Sequence, residues 1–214
     1  MPNWCENELT ITGPDVLKVL QALRTESHED QDARLLDFNR IIPYPVIYRE
    51  MDRRAQDYRE KFSAIAKDDP DRKQKLVALG AEYGVEPGTP WIKDGYNSGG
   101  YEWTCNAWGT KWNATRVHLT THKDRFHDSR GKTVFCAQCG APLPNKLPIR
   151  AFLEFDTAWS PPVPVIEKLS TMFPDHEFDL KYYEGGVGFC GHARWSGGEE
   201  EFHEQHKYNG SRGG

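Results

Sequence analysis

This chain of 214 residues has no apolar run near the ~18 residues that cross a bilayer, so a transmembrane helix is not expected. Its opening residues, Met1-Pro2-Asn3-Trp4, lack the basic-then-apolar order of a secretory signal. It lacks positive charge overall. A net charge of −5 argues against a chain that coats nucleic acid or an anionic membrane. It has five cysteines, of which only Cys136 and Cys139 are close in sequence. An odd, scattered set fits reduced cytosolic thiols better than a disulfide framework. There is no phosphate loop, no G-x-S-x-G and no carboxylate pair at helical spacing, so no reaction is named. Aromatics, by contrast, reach 12%, which argues against wholesale disorder despite a mean hydropathy of −0.75.

The apolar residues that are present alternate in short runs. Leu9 and Ile11 mark a strand over Asn7–Thr12. Gly13-Pro14-Asp15 then turns the chain, and Val16, Leu17, Val19, Leu20 and Leu23 have helical spacing. Leu35 to Pro43 fits either a short strand or an extended lid across the core. Residues 50–84 read as one or two charged helices with a thin stripe of Phe62, Ile65, Leu76 and Leu79, broken at Asp69-Pro70. Residues 84–100 read as loop, and Tyr101–Trp108 as a short helix. Thr115–Thr121 and Arg150–Phe155 read as strands, Val163–Phe173 as a helix after two prolines, and Glu177–Tyr183 as a strand. Gly185-Gly186 is expected to turn tightly into Val187–Trp195, and the tail from Gly197 to fray.

Without the insertion 27–111 this order is βαββαβ plus one hairpin strand. It specifies an α+β, ferredoxin-like split βαβ antiparallel sheet. The whole chain, 1–214, reads as one such domain. Both helices should lie on one face, with the mainly helical insertion 27–111 covering the other. Leu9, Ile11, Val117, Leu119, Phe152, Phe155, Phe178 and Leu180 are the expected sheet core.

Three tryptophan motifs stand at element ends: Asn3-Trp4-Cys5-Glu6-Asn7, Trp108-Gly109-Thr110-Lys111-Trp112, and Asp156-Thr157-Ala158-Trp159-Ser160-Pro161-Pro162. With Leu36-Asp37-Phe38-Asn39, Ile42-Pro43, and Tyr182-Tyr183-Glu184 with Gly188-Phe189, they resemble the YubB ferredoxin-like (Api-type) family of phage and plasmid proteins. The resemblance implies a ferredoxin-like topology and a mobile-element accessory protein of a bacterial cytosol. The family carries no assigned reaction. No iron–sulfur cluster is implied, because four clustered cysteines are absent.

Residues 122–148 depart from that pattern. They contain Cys136-Ala137-Gln138-Cys139-Gly140, the turn used by zinc knuckles, after His122 and His127. Two imidazoles and two thiolates suit structural Zn²⁺, and a metal would help order a loop poor in apolar residues. A reduced metal-free turn and a redox dithiol are the other readings. His118 lies roughly 13 Å from His122 on an extended strand, too far to share one ion. His203 and His206 lie in a segment too polar for a buried metal site. Residues 113–150 hold seven Lys or Arg against two Asp, a net of +5, which leaves −10 elsewhere. Such a basic segment suits phosphate contact, or is simply a solvated hairpin tip.

Trp4, Asn7, Trp108, Lys111, Trp112, Asp156 and Trp159 are the candidate ligand-binding residues. The tryptophans suit base stacking, but a tryptophan at such a junction is more often core packing. Asp156 is read as a helix cap or a pocket carboxylate. Three functions follow. The leading one is a non-enzymatic protein that binds a macromolecular partner, with no membrane role. The alternatives are a single-stranded nucleic-acid binder acting through the basic segment 113–150 and the exposed sheet, and a small enzyme or ligand-sequestering pocket at the tryptophans.

Overall fold

The computed structural model describes residues 3–26, 33–120, 134–135, 142–143 and 149–208. The chain divides into two compact units. One comprises the residues up to Pro43 together with those from Thr104 onward; the other is Tyr44–Trp103.

The first unit is ferredoxin-like. Its strands and helices are β1 (Trp4–Gly13), α1 (Val16–Leu23), β2 (Thr115–Thr120), β5 (Ile149–Ala158), α5 (Val163–Met172), β6 (Glu177–Glu184), β7 (Phe189–Ser196) and β8 (Glu199–Lys207). A six-stranded sheet runs β2-β5-β1-β6-β7-β8, each neighbour pair antiparallel. Its first four strands have the split βαβ order, and β7 and β8 extend it. A separate two-residue ladder joins β3 (Val134–Phe135) to β4 (Pro142–Leu143), on either side of Cys136–Gly140. The expected zinc ligands Cys136, Cys139, His122 and His127 lie outside the described residues.

The strands form where apolar side chains recur at every second position, because one sheet face is buried. Leu9 and Ile11 of β1 stand opposite Leu153 and Ala151 of β5, and opposite Leu180 and Phe178 of β6. All six are at most 1% exposed. Helix α1 packs on β1 and β5, and α5 on β6, β7 and β8. Val16, Val19, Leu23, Val165, Ile166 and Leu169 complete this layer, each fully buried. Asp15 caps α1 by accepting from the Lys18 N–H. Asp156 caps nothing. It lies within β5, and α5 starts after Pro162 without a side-chain cap.

Some expected details change. Phe152 does not join the core. It stands three residues from Phe155 on one strand, so the two point to opposite faces. Val117 and Leu119 are only half-buried. Residues 35–43 form no strand but cover the core on its helix side, with Leu36, Phe38 and Ile41 buried, and so leave the second sheet face open. A 3₁₀ turn, Phe38–Arg40, sends Phe38 against Phe155, on the helix side. The second face is therefore lined by exposed and half-buried residues such as Glu6, Glu8, Glu154 and Tyr183. The link from β6 to β7 is a longer loop than Gly185-Gly186 alone. The Glu184 carboxylate accepts the N–H groups of Gly186 at 2.8 Å and Val187 at 2.5 Å. Glu199–Lys207 of the tail form strand β8 rather than frayed chain, and residues 209–214 lie outside the described residues. Gly197 and Gly198 at φ 61° and 85° make the primed turn that matches strand twist.

In the second unit, α2 (Val46–Ala64) and α3 (Arg72–Tyr83) enclose Tyr58, Leu79 and Tyr83, with Phe62, Ile65, Val85 and Ile92 packed around them. Gly84 ends α3 in the left-handed conformation (φ 65°). Helix α4 (Gly100–Ala107) follows. Among the described residues no helix is long and apolar enough to cross a membrane.

Candidate functional site

The three tryptophan motifs converge at one end of the sheet, and hydrogen bonds explain why. Asn7 is 2% exposed, and its amide donates to Cys5 O (2.8 Å), Thr157 Oγ1 (2.9 Å) and Phe155 O (3.2 Å). Thr157 passes its own proton to Ser160 O at 2.7 Å, and the Ser160 hydroxyl donates to Gly109 O at 2.6 Å. Thr110 Oγ1 donates to Ala158 O at 2.8 Å. Gly109 sits at φ 74°, and a Cβ there would come within 2.7 Å of Pro164. Only glycine meets both conditions.

A second knot holds the loop from behind. Asp37 accepts from Thr25 Oγ1 (2.6 Å), Asn113 Nδ2 (2.7 Å) and the Asn39 backbone (3.0 Å), while Asn113 Oδ1 accepts the Phe38 N–H. Burial pushes the Asp37 carboxyl upward, but these donors outweigh it and hold it below the usual carboxylate range. Trp108 is 5% exposed, donates Nε1–H to Ile42 O at 2.8 Å, and meets Phe38 edge-on. Asn7 and Trp108 thus act as scaffold. Their side chains are committed inside.

The other five sequence candidates do meet, on the open side. Trp4 lies 6.1 Å from Trp112. Lys111 Nζ lies 4.8 Å from the Trp112 ring and 4.4 Å from that of Trp159. Trp112 and Trp159 are 39% and 41% exposed. Trp159 is held at φ 75° with its N–H on Asn3 O. Arg116, which the sequence marked only as part of a basic segment, completes the cluster. It lies 5.0 Å over the Trp4 ring and forms an ion pair with Asp156. The pairing of β2 with β5 slips between Thr115 and His118, and Arg116 sits in that bulge at φ 50°. Burial raises the Asp156 carboxyl above its ordinary value, and Arg116 only partly opposes this.

Beside this cluster the sheet face holds a groove of about 470 Å³. Four carboxylates line it, Glu6, Glu8, Glu154 and Asp156, with Arg116, Lys181 and His118 at its sides. No sequence signal united them, because β1 and β5 are distant in the chain and pair only in the fold. Cys5, buried behind the groove, is a poor nucleophile: burial pushes its thiol up to about 12. Among the described residues no group of three or more His, Cys, Asp or Glu side chains is arranged to hold a metal ion.

Residues 150–211 match the family model for the ferredoxin-like domain in Api92-like protein. That span covers β5, α5, β6, β7 and β8. A crystal structure of protein api92 from Yersinia pseudotuberculosis aligns over 99% of both chains, with 12% sequence identity and a TM-score of 0.42. No curated protein matches the chain.

Proposed function

We propose that this chain is a non-enzymatic binding protein whose macromolecular partner is another protein, held along the open face of the sheet. The observation that carries this is the continuity of the groove, through Arg116 and Trp4 at its end, with the exposed Trp112 and, across Lys111, the exposed Trp159. An exposed aromatic pair beside a charged channel suits recognition by anchors and a polar surround. The setting implied by the resemblance, a phage- or plasmid-borne accessory protein in a bacterial cytosol, belongs to this proposal.

Single-stranded nucleic acid is the second reading, favoured by the Trp–Lys–Trp cluster. Four groove carboxylates against two permanent cations oppose it, since phosphates would meet like charge. The test is capture of partners from plasmid-bearing bacteria, followed by hydrogen-exchange footprinting of the complex. Protection centred on β1, β5 and β6, lost in a Trp112→Ser/Trp159→Ser variant, supports the proposal. Protection confined to Tyr44–Trp103 or to residues near β3 and β4 overturns it. A complex dissolved by nuclease replaces it with the second reading.

A further inference from the structure

The groove is charged against itself. Glu6 stands directly opposite Asp156, and Glu8 directly opposite Glu154, across β1 and β5. Like charges in register on one face lie about 5 Å apart at Cβ and repel. Asp156 is paired with Arg116. Glu8 also faces Lys181 across β1 and β6, as Glu154 faces His118 across β5 and β2. Among the described residues, however, Glu6, Glu8 and Glu154 have no cation within ion-pair distance, and four carboxylates still outnumber two permanent cations. A cationic ligand would relieve this repulsion, and an anionic one would add to it.

The end of the groove shows what kind of cation fits. A guanidinium already lies there, over the Trp4 ring and paired with Asp156. An aromatic face beside a carboxylate is the chemistry that recognises arginine. The planar fork pairs with the carboxylate while its face stacks on the ring. The present occupant belongs to the protein itself. Arg116 is more than half exposed (58%), so water screens its ion pair with Asp156. Its hold on the seat is therefore weak.

We infer that the groove takes a basic, extended segment of the partner protein, and that an arginine of that segment displaces Arg116 from the Trp4–Asp156 seat. This rests on the open-face reading above and names the partner's chemistry. An extended chain presents alternate side chains to one side, so arginines at every second position would reach the Glu6–Asp156 and Glu8–Glu154 rows together.

The test uses the full chain and three labelled probes, followed by fluorescence anisotropy at low salt. The probes are a peptide of alternating glycine and arginine, its glycine–lysine counterpart, and a single-stranded oligonucleotide. The arginine peptide should bind more tightly than the other two. Arg116→Gly suits φ 50° and so should fold. It should tighten arginine-peptide binding roughly threefold to tenfold, the scale of one exposed cation–π contact and one exposed ion pair. Adding Asp156→Asn should remove that gain, and Glu8→Gln/Glu154→Gln should weaken binding of every cationic probe. If Arg116→Gly leaves binding unchanged or weaker, or if the gain survives Asp156→Asn, the seat is wrong. Preference for the oligonucleotide overturns the inference in favour of phosphate recognition. If no peptide binds while the captured partner still protects the open face, the inference fails and the open-face reading stands. Loss of that protection removes both.

Discussion

Replacing Asn7 separates a scaffold from a ligand contact. Its amide serves three acceptors on β1 and β5, all in a region closed to water. Asn7→Leu keeps the bulk and removes the donors. Two backbone carbonyls and a threonine hydroxyl then lose a partner. Not all of these are orphaned outright, since Thr157 still donates to Ser160. The expected loss is roughly 2–4 kcal/mol, the sum of net hydrogen-bond worth and unsatisfied acceptors. In a chain of this size that lowers the melting midpoint by about 5–15 °C. Hydrogen exchange at the β1 and β5 amides is the sharper assay, because it reads this unit apart from Tyr44–Trp103. Asn7→Asp should be worse near neutral pH, since it aims a carboxylate at carbonyl oxygens. Its folded-state pKa should therefore rise. The neutral acid restores a donor, so stability should recover as pH falls toward about 4 and decline as pH rises above that. A loss below about 1 kcal/mol in Asn7→Leu, or an Asn7→Asp variant indifferent to pH, would refute the scaffold role.

Phe155→Ala should cost roughly 3–5 kcal/mol by chemical denaturation, because Phe155 is 2% exposed and holds Phe38 edge-on; a loss under 2 kcal/mol would place it outside the core. Asp37 has its carboxyl held below the ordinary range, so its contribution is complete above about pH 4 and is lost as pH falls through the lowered value. The stability gap between wild type and Asp37→Ala should accordingly narrow between pH 7 and pH 3, and a gap that widens on acidification refutes the assignment. Zinc held by Cys136, Cys139, His122 and His127 should give a metal-to-protein ratio near one, abolished by Cys136→Ser with the melting of the ferredoxin-like unit unchanged; a ratio near zero after zinc-supplemented growth removes the metal.

What was legible in the sequence followed from burial on one sheet face. Leu9 and Ile11, or Phe178, Leu180 and Tyr182, announce their strands because alternation is enforced where one side meets helices. The same alternation carried two residues back from Leu9 would have turned Asn7 inward and Glu6 and Trp4 outward, so the scaffold role of Asn7 was readable. Phe152 and Phe155 could likewise never share a face. Strand β8 was harder. It lies at the sheet edge with nearly every residue exposed, so neither face imposes a pattern. Its one local signal was the Gly197-Gly198 turn, outweighed by the run of glutamates.

The site itself divides along the same physical line. Trp112 and Trp159 stood out because a large aromatic at an element end needs a reason, and the fold does leave both exposed. The groove carboxylates did not stand out, because a glutamate alternating with apolar residues is what any half-buried strand shows. They become a site only through register. Glu6 meets Asp156, and Glu8 meets Glu154, solely because β1 and β5 pair with no bulge between them. Arg116 reaches Asp156 and Trp4 because β2 does contain a bulge. With one residue fewer between Thr115 and His118, both of their pairs with Asp156 and Glu154 would be kept, and Arg116 would stand opposite Phe155, on the buried side. The bulge is what brings a guanidinium to the open face, and a positive φ at a non-glycine residue leaves no trace in sequence. Functional chemistry at this end of the sheet is thus set by strand register more than by residue type. Removing the bulge by deleting Val117 should therefore take Arg116 from the Trp4–Asp156 seat and turn it toward Phe155, so chemical denaturation should show a loss of stability as well as an empty seat.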